Sequence, residues 1–351
     1  MPGSLRDIAR KTGLSVASVS QALRGEGRLS DETRERVQAA AQAMGYQPDP
    51  LLSKAFSRVR QTTSKRYRET MALILEWPTE TGPDFQKRMH KEVLDRATAM
   101  GYALDGFVIS GRPSEHRRLS QILHARGIRG VIIIPRLGTP QPRLHLEWKH
   151  FASVEIGRTL WHPRSLHRVE TAGYQKVVDS LHLLKKVGYR RIGMVVEPDQ
   201  NRHQNGVYYA AYLLSQMRQA ARQRLPIYAP DGTWDDEAHF RGWMEQNNPD
   251  VLFAHLVPNV TQWLTNMGLR VPEDISLFGT NLQVGTISGL RRDALAIARS
   301  AVDMLSVLLQ NNELGLPSHP RCLQVDELWQ AGNTLSRPIG EFITEEGSLR
   351  I

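Results

Sequence analysis

The 351-residue chain is strongly basic, with 45 Lys+Arg against 36 Asp+Glu and a formal net charge of +9. That length favours more than one domain and is ample for a sizeable core. The single cysteine, Cys322, excludes an internal disulfide framework. No stretch reaches the roughly 18 uninterrupted apolar residues of a membrane span, and no apolar leader precedes the first charged residues, so a cytoplasmic protein is expected.

Residues 5–23, LRDIARKTGLSVASVSQAL, predict two short helices joined by a tight turn. Leu5, Ile8 and Ala9 share one face of the first, and Val19, Ala22 and Leu23 repeat the spacing in the second. Gly13 stands where the chain must bend sharply, and Ser15 stands at an N-cap. Ala9 is small where the two helices cross. A third helix is predicted from Ser30, where Thr33 completes a partial capping box and Asp31 and Glu32 suit the positive helix end. Val37, Ala40, Ala41 and Met44 line its face, and Gly45 supplies a stop. Past the break at 46–50, Asp49 caps and Pro50 opens a fourth helix through about Val59. Residues 1–66 hold 12 Lys/Arg against 6 Asp/Glu, so most of the net charge sits in this small module. Such a concentration suits a polyanion partner.

The polar, basic segment 57–70 reads as a linker. Beyond it, strands are predicted at 71–77, 102–109, 130–135 and 151–156, with helices at 84–100, 114–126 and 174–187 between or after them. A second series follows, with strands at 191–196, 251–254 and 275–278 and helices at 206–222 and 293–310. Continuous apolar strands alternating with helices imply parallel sheets covered on both faces. The expected fold is therefore an all-α helix-turn-helix headpiece followed by a bilobed α/β body of two doubly wound sheets. A ligand crevice is expected at the carboxyl ends of the strands.

The run DIARKTGLSVASVSQAL, the SDETRERV segment and the GYQP tetrapeptide, in this order, resemble the headpiece of LacI/GalR-family transcription regulators. The resemblance resumes at GYRRIG (188–193) and at GLRVPEDIS (268–276), and closes with the W-x-x-G-x-T pattern of Trp329, Gly332 and Thr334. It implies a periplasmic-binding-protein-like body crossed three times by the chain, and a hinge helix after the headpiece. It also implies a homodimer, a pseudo-palindromic double-stranded operator and a small-molecule effector of the carbohydrate or sugar-derivative class. Repression is the expected mode. The implied division is 1–48 headpiece, 49–70 hinge and linker, 71–187 plus 289–325 first effector subdomain, 188–288 plus 326–335 second, and 336–351 tail.

Site residues follow from position. Val16 and Ala17 open the second helix, where side chains meet base edges; both are short and apolar, suited to thymine methyls. Gln21, one turn on, can pair with adenine, where many family members carry an arginine suited to guanine. Ser15, Ser18, Ser20, Arg24, Thr33 and Arg34 are expected phosphate contacts, which position without specifying sequence. Family hinges wedge a leucine into the minor groove, and gap-free counting puts Ala55 there. Leu52, Ala55, Phe56 and Val59 share a face, so either Phe56 supplies the wedge in a shifted register or this face packs on the other subunit.

The effector pocket departs further from the family. Ala172-Gly173 replaces a common Asp-Asn pair, His203 replaces the effector-gripping arginine, and Asn281 replaces an aspartate. Arg136, His203, Trp234, His255 and Asn281 are the expected pocket residues; Trp234 is either a stacking platform or core, and His203 either a ligand contact or a surface residue. Free hexoses are expected to bind weakly, and a larger, more aromatic or anionic effector is expected. Nothing points to an enzyme, a cofactor or a metal: the chain has no Walker pattern, no G-x-S-x-G and no H-E-x-x-H. The alternative is a ligand-binding or transport-type sensor, which would share the bilobed body without the basic headpiece.

Overall fold

The computed structural model describes residues 5–24, 30–44, 69–82, 84–109, 112–134, 142–198, 201, 206–229, 236–255, 257–282 and 285–349. Three helices make the headpiece: α1 (Leu5–Thr12), α2 (Val16–Arg24) and α3 (Asp31–Ala43). Ile8 and Ala9, Val19 and Ala22, and Val37, Ala40 and Ala41 bury against one another. Each helix thus contributes the apolar stripe its periodicity predicts. Gly13 adopts φ +71°, the left-handed conformation that lets the Leu14 amide turn back onto the Ala9 carbonyl at 3.1 Å. Gly45 and the expected fourth helix lie outside the described residues.

The body opens with β1 (Thr70–Leu75), α4 (Asp84–Ala99), β2 (Ala103–Val108), α5 (Pro113–Ala125), β3 (Gly130–Ile133), β4 (Ala152–Ile156) and β5 (His167–Thr171). It continues through α6 (Gly173–Lys186), β6 (Ile192–Val195), α7 (Val207–Met217), α8 (Glu237–Asn247), β7 (Val251–Ala254), α9 (Val257–Asn266), β8 (Ser276–Leu282) and β9 (Gly289–Arg291). Last come α10 (Ala294–Gln310), β10 (Cys322–Val325) and β11 (Leu328–Gln330). The first sheet runs β10-β5-β4-β3-β1-β2, parallel throughout. The second runs β11-β9-β8-β7-β6, parallel except for the β11–β9 pair.

Alternation along β1 shows how the first sheet is sandwiched. Met71, Leu73 and Leu75 pack with α4 and α10, while Ala72 and Ile74 pack with Leu119 and Leu123 of α5. The second sheet is covered in the same way by α6 and α7 on one face and by α8 and α9 on the other. Among the described residues no helix is long and apolar enough to cross a membrane.

The lobe boundaries differ from those expected at three places. The expected division puts helix α6, within 71–187, in the first lobe, yet Val177, Leu181 and Leu184 bury against Tyr189, Ile192 and Tyr212 of the second. Residues 289–291, expected in the first lobe, form β9 of the second sheet. The segment 336–351, expected as a tail, joins the second lobe: Ile339 is buried in its core, and the Trp329 amide donates to the Gly347 carbonyl at 2.8 Å. The chain therefore crosses between lobes at 171–173, 291–293 and 325–328. The helix expected over 206–222 ends at Met217, before a short 3-10 turn at Ala221–Gln223.

Candidate functional site

The headpiece offers α2 as its reading element. Its start is fixed by the Ser15 hydroxyl, which accepts the Ser18 amide at 3.0 Å while the Ser15 and Ser18 hydroxyls lie 2.8 Å apart. Gln21 follows on the exposed face of α2. At α3 the Ser30 hydroxyl accepts the Thr33 amide at 3.3 Å and sits 2.7 Å from the Thr33 hydroxyl. The half-buried Arg34 places a guanidinium nitrogen 3.7 Å from Asp31. Ser15, Ser18 and Thr33, expected as phosphate contacts, thus also build the helix starts, which orient backbone N–H groups outward. Val16, Ala17, Ser20 and Arg24 lie in α2 as expected, with side chains outside the description. Leu52, Ala55 and Phe56 lie outside the described residues.

The second candidate site lies where the second sheet's strands end and the chain crosses between lobes. His255 follows β7, Thr280 lies late in β8, Arg292 follows β9 and Glu327 occupies the last crossing, just ahead of β11. Arg292 reaches into the first lobe, its guanidinium 5.0 Å from the Phe85 ring centre at the start of α4. Its Nε stands 4.0 Å from Glu327 Oε1. On α6, Lys176 pairs with Asp326 at 3.6 Å, and the Ala172 amide donates to the Val325 carbonyl at 3.0 Å, so two crossings run side by side.

Burial sets the charge states here. Glu327 is only 4% exposed, and burial pushes its carboxyl up against the pull of Arg292 and Lys176, with Asp326 adding to the rise. His255 is 1% exposed, and burial, reinforced by the Arg292 guanidinium, pushes its imidazole down to about 3. The ring is therefore neutral, edge-on to Tyr208 at 6.2 Å between centres. Burial, then the Glu327 charge, raises the Tyr208 phenol, which has Thr280 beside it.

Of the five expected pocket residues, His255 reaches this cluster. Asn281 lies in β8 with its side chain outside the description, and Arg136, His203 and Trp234 lie outside the described residues. Sequence reasoning missed Arg292, Glu327, Lys176 and Tyr208. A signal was present: Arg291-Arg292-Asp293 and Asp326-Glu327 are charged runs abutting short apolar segments at chain crossings.

A basic three-helix headpiece joined to a two-lobed α/β body, with ionisable groups gathered at the lobe crossings, defines a regulator that couples DNA reading to a ligand crevice. Residues 4–49 match the model of bacterial regulatory proteins of the lacI family, and residues 181–325 match that of the periplasmic binding protein-like domain. The chain thus joins a lacI-family helix-turn-helix domain to a periplasmic-binding-protein-like domain, the organisation of a DNA-binding transcription regulator under ligand control. It is 22% identical to the HTH-type transcriptional repressor CytR of Escherichia coli K12, over 95% of this chain and 97% of that protein. Among solved structures it resembles the transcriptional regulator CelR in complex with cellobiose, with a TM-score of 0.57 and 19% identity over 95% of this chain and 99% of that one. It also resembles the lac repressor dimer bound to operator and the anti-inducer ONPF, with a TM-score of 0.55 and 16% identity over 96% of this chain and 100% of that one.

Proposed function

We propose that this chain is a cytoplasmic, non-enzymatic repressor that binds a pseudo-palindromic operator as a homodimer and is controlled by a small molecule seated between its lobes. One observation carries the reading. A capped, exposed α2 stands on a positively charged module, and that module leads into a body whose three crossings gather Arg292, Glu327 and Lys176. One headpiece reads only a few base pairs, so two related by a twofold axis supply the contact set a specific site needs. Kinship with a protein named a repressor supports the mode of action. The operator-bound lac repressor dimer supports the homodimer, and the CelR–cellobiose complex supports a carbohydrate-like effector. Val16, Ala17 and Gln21 are the base-reading residues of this proposal; Ser20 and Arg24 join Ser15, Ser18, Thr33 and Arg34 on phosphates. Leu52, Ala55 and Phe56 form the hinge contact in the minor groove.

The test is selection of duplexes from a random pool by full-length protein, followed by gel shift against scrambled competitor. A twofold-symmetric site, bound less tightly as salt rises, is the expected result. A fragment ending near residue 66 should bind it far more weakly. Equal affinity for selected and scrambled duplex at low salt would sink the proposal.

A further inference from the structure

Two polar groups at the crossings have unspent hydrogen-bonding capacity. Among the described residues, Arg292 Nε is buried without a hydrogen-bond partner, since Glu327 Oε1 at 4.0 Å is beyond reach of one. His255 Nδ1 is likewise buried and unpartnered, on a side chain almost wholly removed from water. Buried polar groups are nearly always paired, so this pair marks a place where a partner is meant to arrive. The local charge points to its sign. Lys176 and Arg292 are both mostly buried; among the described residues their ion-pair partners are the buried Glu327 and Asp326, which is largely open to solvent. Asp326 answers Lys176 at the solvent edge, so Arg292 is the cation left without a hydrogen-bonded anion, and a low dielectric magnifies its attraction for one.

We propose, building on the effector reading above, that the ligand of this crevice carries an oxyanion, a carboxylate or a phosphate, received by Arg292 and hydrogen-bonded by His255. A guanidinium presents its donors in a planar fork that matches two oxygens of such a group. The Phe85 ring, 5.0 Å from the guanidinium carbon, holds Arg292 without taking any of its hydrogen bonds, which leaves its donors for the ligand. The neutral imidazole adds a directional N–H without a second charge to desolvate. Glu327 tethers Arg292 from the side, and the incoming oxyanion takes up the hydrogen bonds that Glu327 is too distant to accept. Because Arg292 touches Phe85 of the first lobe and extends from β9 of the second, an anion held there favours one relative position of the lobes.

The experiment uses full-length protein and four probes: glucose 6-phosphate, D-glucuronate, D-glucose and D-glucosamine. Calorimetry and thermal melting of the body are read for wild type, Arg292→Gln and Arg292→Lys, with Arg241→Met as a control in an exposed pair on α8. At least one of the two anions should bind tenfold or more tightly than glucose. Arg292→Gln should lose that preference at least tenfold, Arg292→Lys should retain part of it, and Arg241→Met should keep all of it. Which anion wins separates phosphate from carboxylate. Equal or tighter binding of glucose or glucosamine overturns the inference, as does an anion response unchanged in Arg292→Gln or no response to either anion. Operator binding is measured in parallel on each variant. Loss of DNA binding in wild type fails the regulator reading, whereas intact DNA binding with indifference to anions fails only this one.

Discussion

The guanidinium of Arg292 lies 5.0 Å from the centre of the Phe85 ring, so a side chain leaving the second sheet closes onto a helix of the first lobe. A cation over an aromatic face is worth about 0.5–2 kcal/mol, more as water is excluded. A double-mutant cycle of Phe85→Leu and Arg292→Met should return a coupling of that size in urea unfolding of the body. Strictly additive losses would show that the two side chains do not bridge the lobes.

Gln21 is the one predicted base reader whose side chain is seen exposed on α2. Gln21→Ala should cost about 1–3 kcal/mol at one symmetric pair of operator positions and relax discrimination there. Gln21→Arg should shift preference at those positions toward guanine. Uniform weakening across all operator variants would reassign Gln21 to the phosphate backbone.

Gly332 has a steric rather than a functional reason to be a glycine. A Cβ at this position would stand 2.1 Å from the Thr286 carbonyl oxygen and 2.5 Å from the Ser288 amide nitrogen, both rigid backbone atoms. Two residues on, the Thr334 hydroxyl donates to the Leu277 carbonyl at 2.6 Å and accepts the Ser288 amide at 3.0 Å, while Trp329 packs edge-on to Phe278. The W-x-x-G-x-T pattern is thus a clasp between the chain's last strand and the 286–288 loop. Gly332→Ala should destabilise the second lobe by more than about 3 kcal/mol or prevent its folding. A melting temperature within a degree of wild type would refute this.

Two buried groups pull stability in opposite directions with pH. His255, pushed down to about 3, refuses a proton that the unfolded chain binds near 6.5. Its contribution is complete above pH 6.5 and is lost as pH falls toward 3. Glu155, pushed up to about 7 by burial despite the Arg168 guanidinium at 2.9 Å, keeps a proton that the unfolded chain releases near 4.5. Its contribution is complete below pH 4.5 and is lost as pH rises through 7. Relative to wild type, His255→Gln should therefore cost more at pH 8 than at pH 5, and Glu155→Gln more at pH 5 than at pH 8. Urea midpoints at the two values decide it, and parallel curves for both variants would contradict the assignment.

Legibility in the sequence followed chemistry. Strands such as β1, apolar from Met71 to Leu75, and β3, and helices with a clear stripe, such as α4 and α10, were readable because burial alone specifies them. β5 was not, because its sequence HRVET looks solvated. In the fold His167 accepts the Arg321 amide, Arg168 pairs with Glu155 and Glu170 pairs with Arg158, so tertiary partners make a polar strand buriable. The helix α9 hid behind Pro258 in its first turn, where proline is tolerated. The three-residue β9 and β11 carry too little pattern to register. For the site, position within the strand order led to His255, which the fold places at the end of β7 beside Tyr208. Arg292 escaped notice because its crossing was expected at 288–289 and lies at 291–293, and Glu327 because charges at a crossing read from sequence as surface.

The side-by-side crossings have a mechanical consequence. Thr171 pairs with Val325 across adjacent strands of one sheet, and β9 pairs with β11 across adjacent strands of the other, so the connecting segments lie together as a short three-ply strip. A strip bends readily across its width and resists twisting and stretching. The lobes of this protein are therefore free to swing about a single axis, like the covers of a book about its spine. In the sequence the headpiece precedes β1, the first strand of one cover. Arg292 and Glu327 sit on that spine, where the two covers meet.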